Sequence, residues 1–420
     1  MDPVELMLLA AISYRGCEFN LSNPHSRKIV YDEIARCLEI FSATHGRWQL
    51  AWGPAGHRPG TAGTDESAMY VVRRAGESPS STVAIVIRGT NFFSFGDWLS
   101  NTSIDPKPWV YGDGGEAVKI SQSMWSGLRI LQRLKSGPVP PLEGEETAQE
   151  KQEAANTAAE AALAFKLLQR ILQGPTTDLE SATQLAKIIE RISAFAVDPF
   201  ASSPADSLRD VETAEPQNAG TLIDFLKTFV ADAKKPVDIY VTGHSKGGGL
   251  APVLALWLAD TRSAPPEQWD PDNKANLHVC SFAAPTAGNA GFASHFQSQI
   301  LRANVYRLAN PYDIVPHAWD PDEIRQIPDL YDGQLRALKI PADVLARALI
   351  RSGYQHEAPT VGWNGTAVVQ ANCLKRAGVE HLDFYLKELG IYDEHTMSTL
   401  ALFAPISKPR QISNYPKLRG

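Results

Sequence analysis

One turn constrains this chain more than any other feature of its sequence. Residues 237–241 have the composition of a buried strand, the next eight read TGHSKGGG, and residues 250–258 are apolar enough for a buried helix. Gly243 and Gly247 stand two positions before and two after Ser245, where small residues let a sharp turn close without Cβ clashes. The sequence therefore predicts a tight strand-to-helix turn with Ser245 at its apex.

A serine at such an apex is suited to nucleophilic chemistry. The strained backbone exposes its Oγ atom, and the N-terminus of the following helix directs backbone N–H groups towards a developing oxyanion. The alternative is a glycine-rich turn that binds phosphate. The stretch lacks both GxxxxGK[ST] and GxGxxG, so we favour the nucleophilic serine.

Strand and helix patterns alternate on both sides of this turn. Strand patterns occupy residues 69–72, 82–87, 237–242, 278–283 and 305–308, and helix patterns occupy residues 248–259 and 291–301. Repeated β-α-β units predict an α/β fold with a mostly parallel central sheet flanked by helices.

Two segments interrupt the alternation. Residues 138–220 are rich in Ala, Glu and Gln, and the stretch from Leu142 to Lys235 holds 16 acidic and 9 basic residues. We expect residues 138–220 to be an acidic helical insertion, either a cap over a cleft or an extension that stabilises the fold or binds a partner. Residues 319–378 form a second insertion, with a helix near 341–350. The body then comprises residues 1–137, 221–318 and 379–420.

Charge and cysteine content exclude several classes of protein. The formal net charge is −7, which disfavours general nucleic-acid binding. The four cysteines show no CxxC spacing, so we expect no disulfide scaffold, no metal site and no cofactor. Asp2 and Glu5 precede the apolar residues 6–12, which predicts a buried helix and not a signal peptide. We expect no transmembrane segment, and a cytoplasmic location or export without an N-terminal signal. The oligomeric state is left open.

Several separated blocks of sequence occur in the order of one known family. They are TGHSKGG at 242–248, Ile87-Arg88-Gly89-Thr90, DWLSN at 97–101, FAAPTAGN at 282–289, NPYDIVP at 310–316 and His381. Together they resemble the class 3 lipases of the α/β-hydrolase fold. The chain departs from that family at Lys246, where Leu is usual, and at Thr286-Ala287, where Arg-Val is usual.

The fold and the resemblance together predict a catalytic triad. In this fold the chain order is Ser, then Asp or Glu, then His. Asp313 follows the strand pattern at 305–308 closely, and His381 opens the apolar run 382–386. The other acids and histidines after Ser245 lie in less favourable positions: Asp320, Asp322 and Asp329, and His317, His356 and His395. We expect His244 to point away from the Ser245 Oγ and to pack within the turn.

The resemblance also implies an oxyanion hole and a lid. The backbone N–H groups of Lys246 and Thr90 would stabilise the oxyanion, with the Thr90 hydroxyl as a further donor. The apolar segment after the oxyanion strand is expected to bind substrate or to form a mobile lid: Phe92, Phe93, Trp98 and Leu99. A loop packed onto the core is the other interpretation of this segment.

The predicted function is that of a lipase-type serine carboxylic-ester hydrolase, which cleaves lipid acyl esters through an acyl-enzyme on Ser245. A phospholipase or an acyltransferase with the same triad, including one directed at membranes, is left open. A non-catalytic protein that binds lipid or a partner is a further alternative, although it would not need an intact triad. The expected partners are a lipid or ester substrate and a transient lipid interface.

Overall fold

The computed structural model describes residues 2–16, 21, 24–41, 44–57, 67–76, 81–89, 106–136, 180–187, 220–362 and 373–388. The strands are β1 (Trp48–His57), β2 (Ser67–Arg74), β3 (Thr82–Ile87), β4 (Pro106–Pro108), β5 (Lys119–Ser121), β6 (Val237–His244), β7 (Ala275–Phe282), β8 (Gly288–Asn289), β9 (Val305–Ala309), β10 (Tyr354–Gln355) and β11 (Thr360–Gly362). The α-helices are α1 (Pro3–Ile12), α2 (Pro24–Ile40), α3 (Gln122–Arg133), α4 (Leu222–Asp232), α5 (Lys246–Thr261), α6 (Ala290–Gln299), α7 (Pro321–Ile324), α8 (Lys339–Leu349), α9 (Cys373–Gly378) and α10 (Phe384–Glu388).

A seven-stranded sheet runs through the body in the order β1-β2-β3-β6-β7-β9-β11. The first two pairings are antiparallel and the remaining four are parallel. Strand β3 is apolar from Val83 to Ile87 and is buried throughout, as a strand covered on both faces should be. The predicted mostly parallel sheet flanked by helices is confirmed.

Two hydrophobic clusters cover the two faces of this sheet. Helices α3 to α6 contribute to one cluster, for example through Leu128, Leu226 and Leu254. Helices α1, α2 and α10 contribute to the other. The apolar run 6–12 lies within α1 and is buried along its whole length, as predicted for a buried helix. Within the described residues no helix is both long and apolar enough to cross a membrane.

Shorter elements stand beside the main sheet. Strands β10, β8, β5 and β4 form a second, four-stranded sheet that the sequence patterns did not predict. After β9, short 3₁₀ turns, α7 and α8 form a small helical unit with its own apolar core, which includes Trp319, Ile324 and Ala346. Of the acidic insertion at 138–220, only the helical residues 180–187 and Gly220 are described. The division of the chain into a three-part body and two insertions, at residues 138–220 and 319–378, stays a prediction.

Candidate active site

Ser245 sits in a strained turn between β6 and α5. Its backbone angles are φ 59° and ψ −129°, outside the regions that non-glycine residues ordinarily adopt, and the residue is 5% exposed. Its N–H donates to the carbonyl of Phe282 at 2.9 Å, and its own carbonyl accepts from Gly249 at 3.1 Å. A Cβ at Gly247 would strike the carbonyl oxygen of Ile87. Such strain costs about 1–3 kcal/mol and persists only where the surroundings enforce it.

Helix α5 begins at Lys246, immediately after the serine. The first N–H groups of an α-helix have no partner within the helix and carry a partial positive charge, so a negative charge beside Ser245 would be stabilised there. The second expected oxyanion donor, Thr90, and the proposed lid residues lie outside the described residues: Phe92, Phe93, Trp98 and Leu99. Their roles stay predictions.

The structure brings His381 and Asp313 together from positions 68 residues apart in the chain. The His381 Nδ1 atom lies 2.8 Å from Oδ2 and 3.0 Å from Oδ1 of Asp313, and both side chains are buried. Because an ionised carboxylate only accepts hydrogen bonds, Nδ1 carries the proton. With Nδ1 as the donor to Asp313, Nε2 is the ring nitrogen that can accept a proton from a nucleophile.

Two further donors hold the Asp313 carboxylate. The Val315 N–H donates to Oδ1 and the Tyr385 hydroxyl donates to Oδ2, each at 3.0 Å. The same hydroxyl accepts from the Asn310 N–H at 2.9 Å. Burial, and secondarily the charge of Asp313, raises the pKa of Tyr385 well above its usual value, so the hydroxyl stays protonated and keeps donating.

His381, which opens the apolar run 382–386, lies within a helical segment. Helices α9 and α10 are joined without a break by a π-helical stretch, Val379–Asp383, that contains it. Asn310 fixes this stretch, because its Nδ2 atom donates to the carbonyl of Glu380 at 3.0 Å and to its carboxylate at 2.8 Å. Single π turns within α-helices are frequent at functional sites.

His244 packs in the turn, as predicted, but it also reaches the His381 segment. Its Nε2 atom lies 2.8 Å from the His381 carbonyl oxygen, which can only accept, so Nε2 carries the proton. Its Nδ1 atom accepts from the Tyr14 hydroxyl at 3.0 Å. Burial, and then the neighbouring His381, lowers the pKa of His244 well below its usual value, so the ring stays neutral.

The other acids and histidines that the sequence offered for the triad make contacts of their own. Asp320 caps α7 by accepting from the N–H of Asp322 at 2.9 Å. His317 contacts the carbonyl of Pro311 at 3.2 Å. His356 is more buried than a residue of a polar loop, because it packs against Arg307, with 2.7 Å between its Nε2 atom and Arg307 Nη2. His395 lies outside the described residues.

The sequence assigned no role to three residues that support this site: Tyr14, Tyr385 and Asn310, which was known only as the first residue of the NPYDIVP block. Tyr385 follows His381 by four positions within a helical pattern, a spacing that puts two residues on one face and could have identified it. Tyr14 carried no such signal, since it lies 230 residues before His244 in the chain.

The chain is similar to one protein family and to several solved structures. A family model described as lipase (class 3) matches residues 211–322. The crystal structure of M37 lipase superposes with a TM-score of 0.63 at 24% identity, over 93% of each chain. Lipase II from Rhizopus niveus gives a TM-score of 0.36 at 12% identity, over 90% of this chain and 91% of that one.

Among curated proteins, the lipase-like protein PAD4 of Arabidopsis thaliana is 30% identical over 80 residues. That region is 19% of this chain and spans only 13% of the length of PAD4. The fold is that of the lipases of the α/β-hydrolase class. The resemblance to the class 3 lipases is confirmed over residues 211–322, and the likeness to M37 lipase confirms the fold.

Proposed function

We propose that this protein hydrolyses lipid acyl esters through an acyl-enzyme on Ser245. The observation that carries the proposal is the strained Ser245 turn joined to the buried His381–Asp313 pair. His244 links the two, because it directly precedes Ser245 in the chain and its ring holds the His381 carbonyl at 2.8 Å. This link favours an arrangement in which the Ser245 Oγ and the His381 Nε2 come within hydrogen-bond reach, as nucleophile and base must.

The residues divide the reaction between them. His381 Nε2 takes the proton from the Ser245 hydroxyl as its Oγ attacks the ester carbonyl, and the Asp313 carboxylate stabilises the imidazolium that forms. The oxyanion would form at the N-terminus of α5, where the Lys246 N–H would stabilise it, and the Thr90 N–H is the second donor expected from the sequence. His381 then protonates the departing alkoxide, which leaves as the alcohol. Water, deprotonated by the same imidazole, hydrolyses the acyl-enzyme and regenerates the serine.

The aromatic segment at 92–99 supports a lipid as the acyl donor. It follows the oxyanion strand directly in the sequence, so an apolar chain bound there would lie beside the reacting ester. The same acyl-enzyme could pass its acyl group to an alcohol instead of water, which would make the protein an acyltransferase. Triglycerides and phospholipids are both compatible with this chemistry.

A fluorophosphonate probe tests the nucleophile, because it reacts with activated serines only. We expect it to label Ser245 and no other serine. Ser245→Ala should abolish hydrolysis of p-nitrophenyl esters, triglycerides and phospholipids while the circular dichroism spectrum is unchanged. Ser281→Ala is the matched control, since Ser281 is buried on the neighbouring strand β7. Labelling of another serine, or a Ser245→Ala variant that keeps more than about a tenth of kcat, would contradict the proposal.

A further inference from the structure

One face of α8 is exposed and carries a mixture of cations and isoleucines. At 100° per residue, its exposed positions fall within an arc of about 120°, and the positions buried in the small helical unit lie on the opposite side. We call this exposed surface the α8 face. It extends into the short 3₁₀ turns at either end of the helix and comprises Arg336, Lys339, Ile340, Arg347, Ile350 and Arg351.

The charge of the α8 face is opposite to that of the whole chain. The chain has a formal net charge of −7, whereas the face has four cations and, between them in sequence, one acid, Asp343. Asp343 lies 4.0 Å from a further cation, Arg325, which also pairs with Asp322. Within the described part of the chain, the four cations of the face form no ion pair. Their charge is therefore available to an anionic surface.

The two isoleucines are notably exposed for a surface helix. Ile340 is 42% exposed and Ile350 is 56% exposed, although neighbouring apolar residues of α8 are buried. The apolar stripe of α8 is buried in its own unit, but exposed isoleucines beside lysine and arginine side chains offer both of the contacts that a lipid–water interface provides. The apolar groups enter the boundary of the acyl chains, and the cations meet anionic headgroups.

The α8 face belongs to the end of the main sheet that carries the active site. The helical unit follows the carboxyl end of β9, as Asp313 does, and the Ala318 carbonyl accepts from the N–H of Thr286 after β7. The Arg376 guanidinium stacks on the Tyr331 ring at 4.4 Å, which connects the unit to the helix that carries His381. Ser245 lies at the carboxyl end of β6. The unit that carries the α8 face is thus attached at the active-site end of the sheet.

We infer that the α8 face docks the protein on an anionic phospholipid surface. The inference rests on the proposed function, because it assumes that the substrate is a lipid. Docking itself does not require catalysis. The two isoleucines supply the apolar insertion, and Arg336, Lys339 and Arg347 supply the selectivity for negative headgroups. Docking would raise the local concentration of ester at the cleft without changing the chemistry.

Vesicle sedimentation tests this inference on the full-length Ser245→Ala variant, which is chosen so that hydrolysis does not alter the vesicles. We expect binding to phosphatidylcholine vesicles that contain phosphatidylglycerol, weakened by added salt, and little binding to phosphatidylcholine alone. Lys339→Gln combined with Arg347→Gln should weaken the partition coefficient about 25-fold, since each cation near such a surface contributes about fivefold. Ile340→Ser combined with Ile350→Ser should weaken it as well.

The matched control is Lys234→Gln with Lys235→Gln, which removes the same charge just before β6, at the opposite end of the sheet. This control should bind like the parent. With Ser245 restored, the α8-face variants should keep the parent kcat on a soluble short-chain ester and lose activity on anionic vesicles. Absence of vesicle binding, or equal binding by the α8-face variant and the control, overturns the inference. Vesicle binding by a protein that hydrolyses no ester would leave the inference standing and contradict the proposed function.

Discussion

The Tyr385→Phe substitution removes a single oxygen atom and tests whether the Tyr385 hydroxyl positions the catalytic acid Asp313. In Tyr385→Phe the Asp313 carboxylate loses one of the three groups that donate to it, and the buried Asn310 N–H loses its acceptor. The ring itself stays, so the packing against Phe384 and His244 is kept. The change therefore acts on hydrogen bonds alone.

The expected magnitudes follow from these two contacts. A hydrogen bond to an ionised carboxylate contributes about 1.5–3 kcal/mol, and a buried N–H without an acceptor costs about 1–3 kcal/mol. The free energy of unfolding should fall by about 3 kcal/mol. Without the Tyr385 hydroxyl, the Asp313 Oδ2 atom is held by His381 alone, and the carboxylate can rotate away from the His381 imidazole. A loss of about 1.4 kcal/mol in the transition state lowers kcat about tenfold.

Steady-state kinetics on a soluble short-chain ester, with urea denaturation of the same samples, would measure both effects. KM should not change, because Tyr385 contacts the acid and not the substrate cleft. Tyr70→Phe is the matched control, since that buried hydroxyl donates to the Leu9 carbonyl at 2.6 Å on α1. It should lower stability by about 1 kcal/mol and leave kcat unchanged. A kcat for Tyr385→Phe within twofold of the parent would refute the positioning role.

Three further predictions concern the same site. Asp313→Ala combined with His381→Ala should be hardly worse in kcat than His381→Ala alone, because the residues act as a unit; greater damage from His356→Ala would show that the base is assigned wrongly. Trp98→Ser should lower activity on emulsified long-chain esters much more than on soluble short-chain ones, and equal losses at unchanged stability would exclude a lid. The folded chain holds His244 neutral, whereas the unfolded chain protonates it below about pH 6.5. The free energy of unfolding should therefore decline as pH falls below that value, by up to about 1.4 kcal/mol per pH unit from His244. Denaturation curves of His244→Gln across that range should show a shallower decline.

The local elements could be predicted from the sequence because their causes are local. The run of apolar residues before Gly243 and the small residues around Ser245 specify a buried strand and a sharp turn whatever surrounds them. The cap of α4 is of the same kind, since Thr221 and Asp224 satisfy each other within one turn of chain. Strand β1 escaped prediction because residues 48–57 carry Gly53 and Pro54, which ordinarily weaken a strand pattern.

The supporting residues of the site were decided by tertiary structure alone. Resemblance to a family pointed to Asp313 and His381, and helical spacing could place Tyr385 on the same face as His381. No periodicity could bring the Tyr385 hydroxyl to Asp313 or place Tyr14 beside His244. Periodicity reports which face of an element is buried, whereas these contacts depend on the order of strands in the sheet and on where each loop leaves it. The sequence determined that a strained serine would stand at the end of a buried strand. The packing of α1 and of the π-helical stretch around that strand decided which groups meet it, because hydrogen bonds between residues 68 to 230 positions apart form only when the whole sheet has brought their segments together.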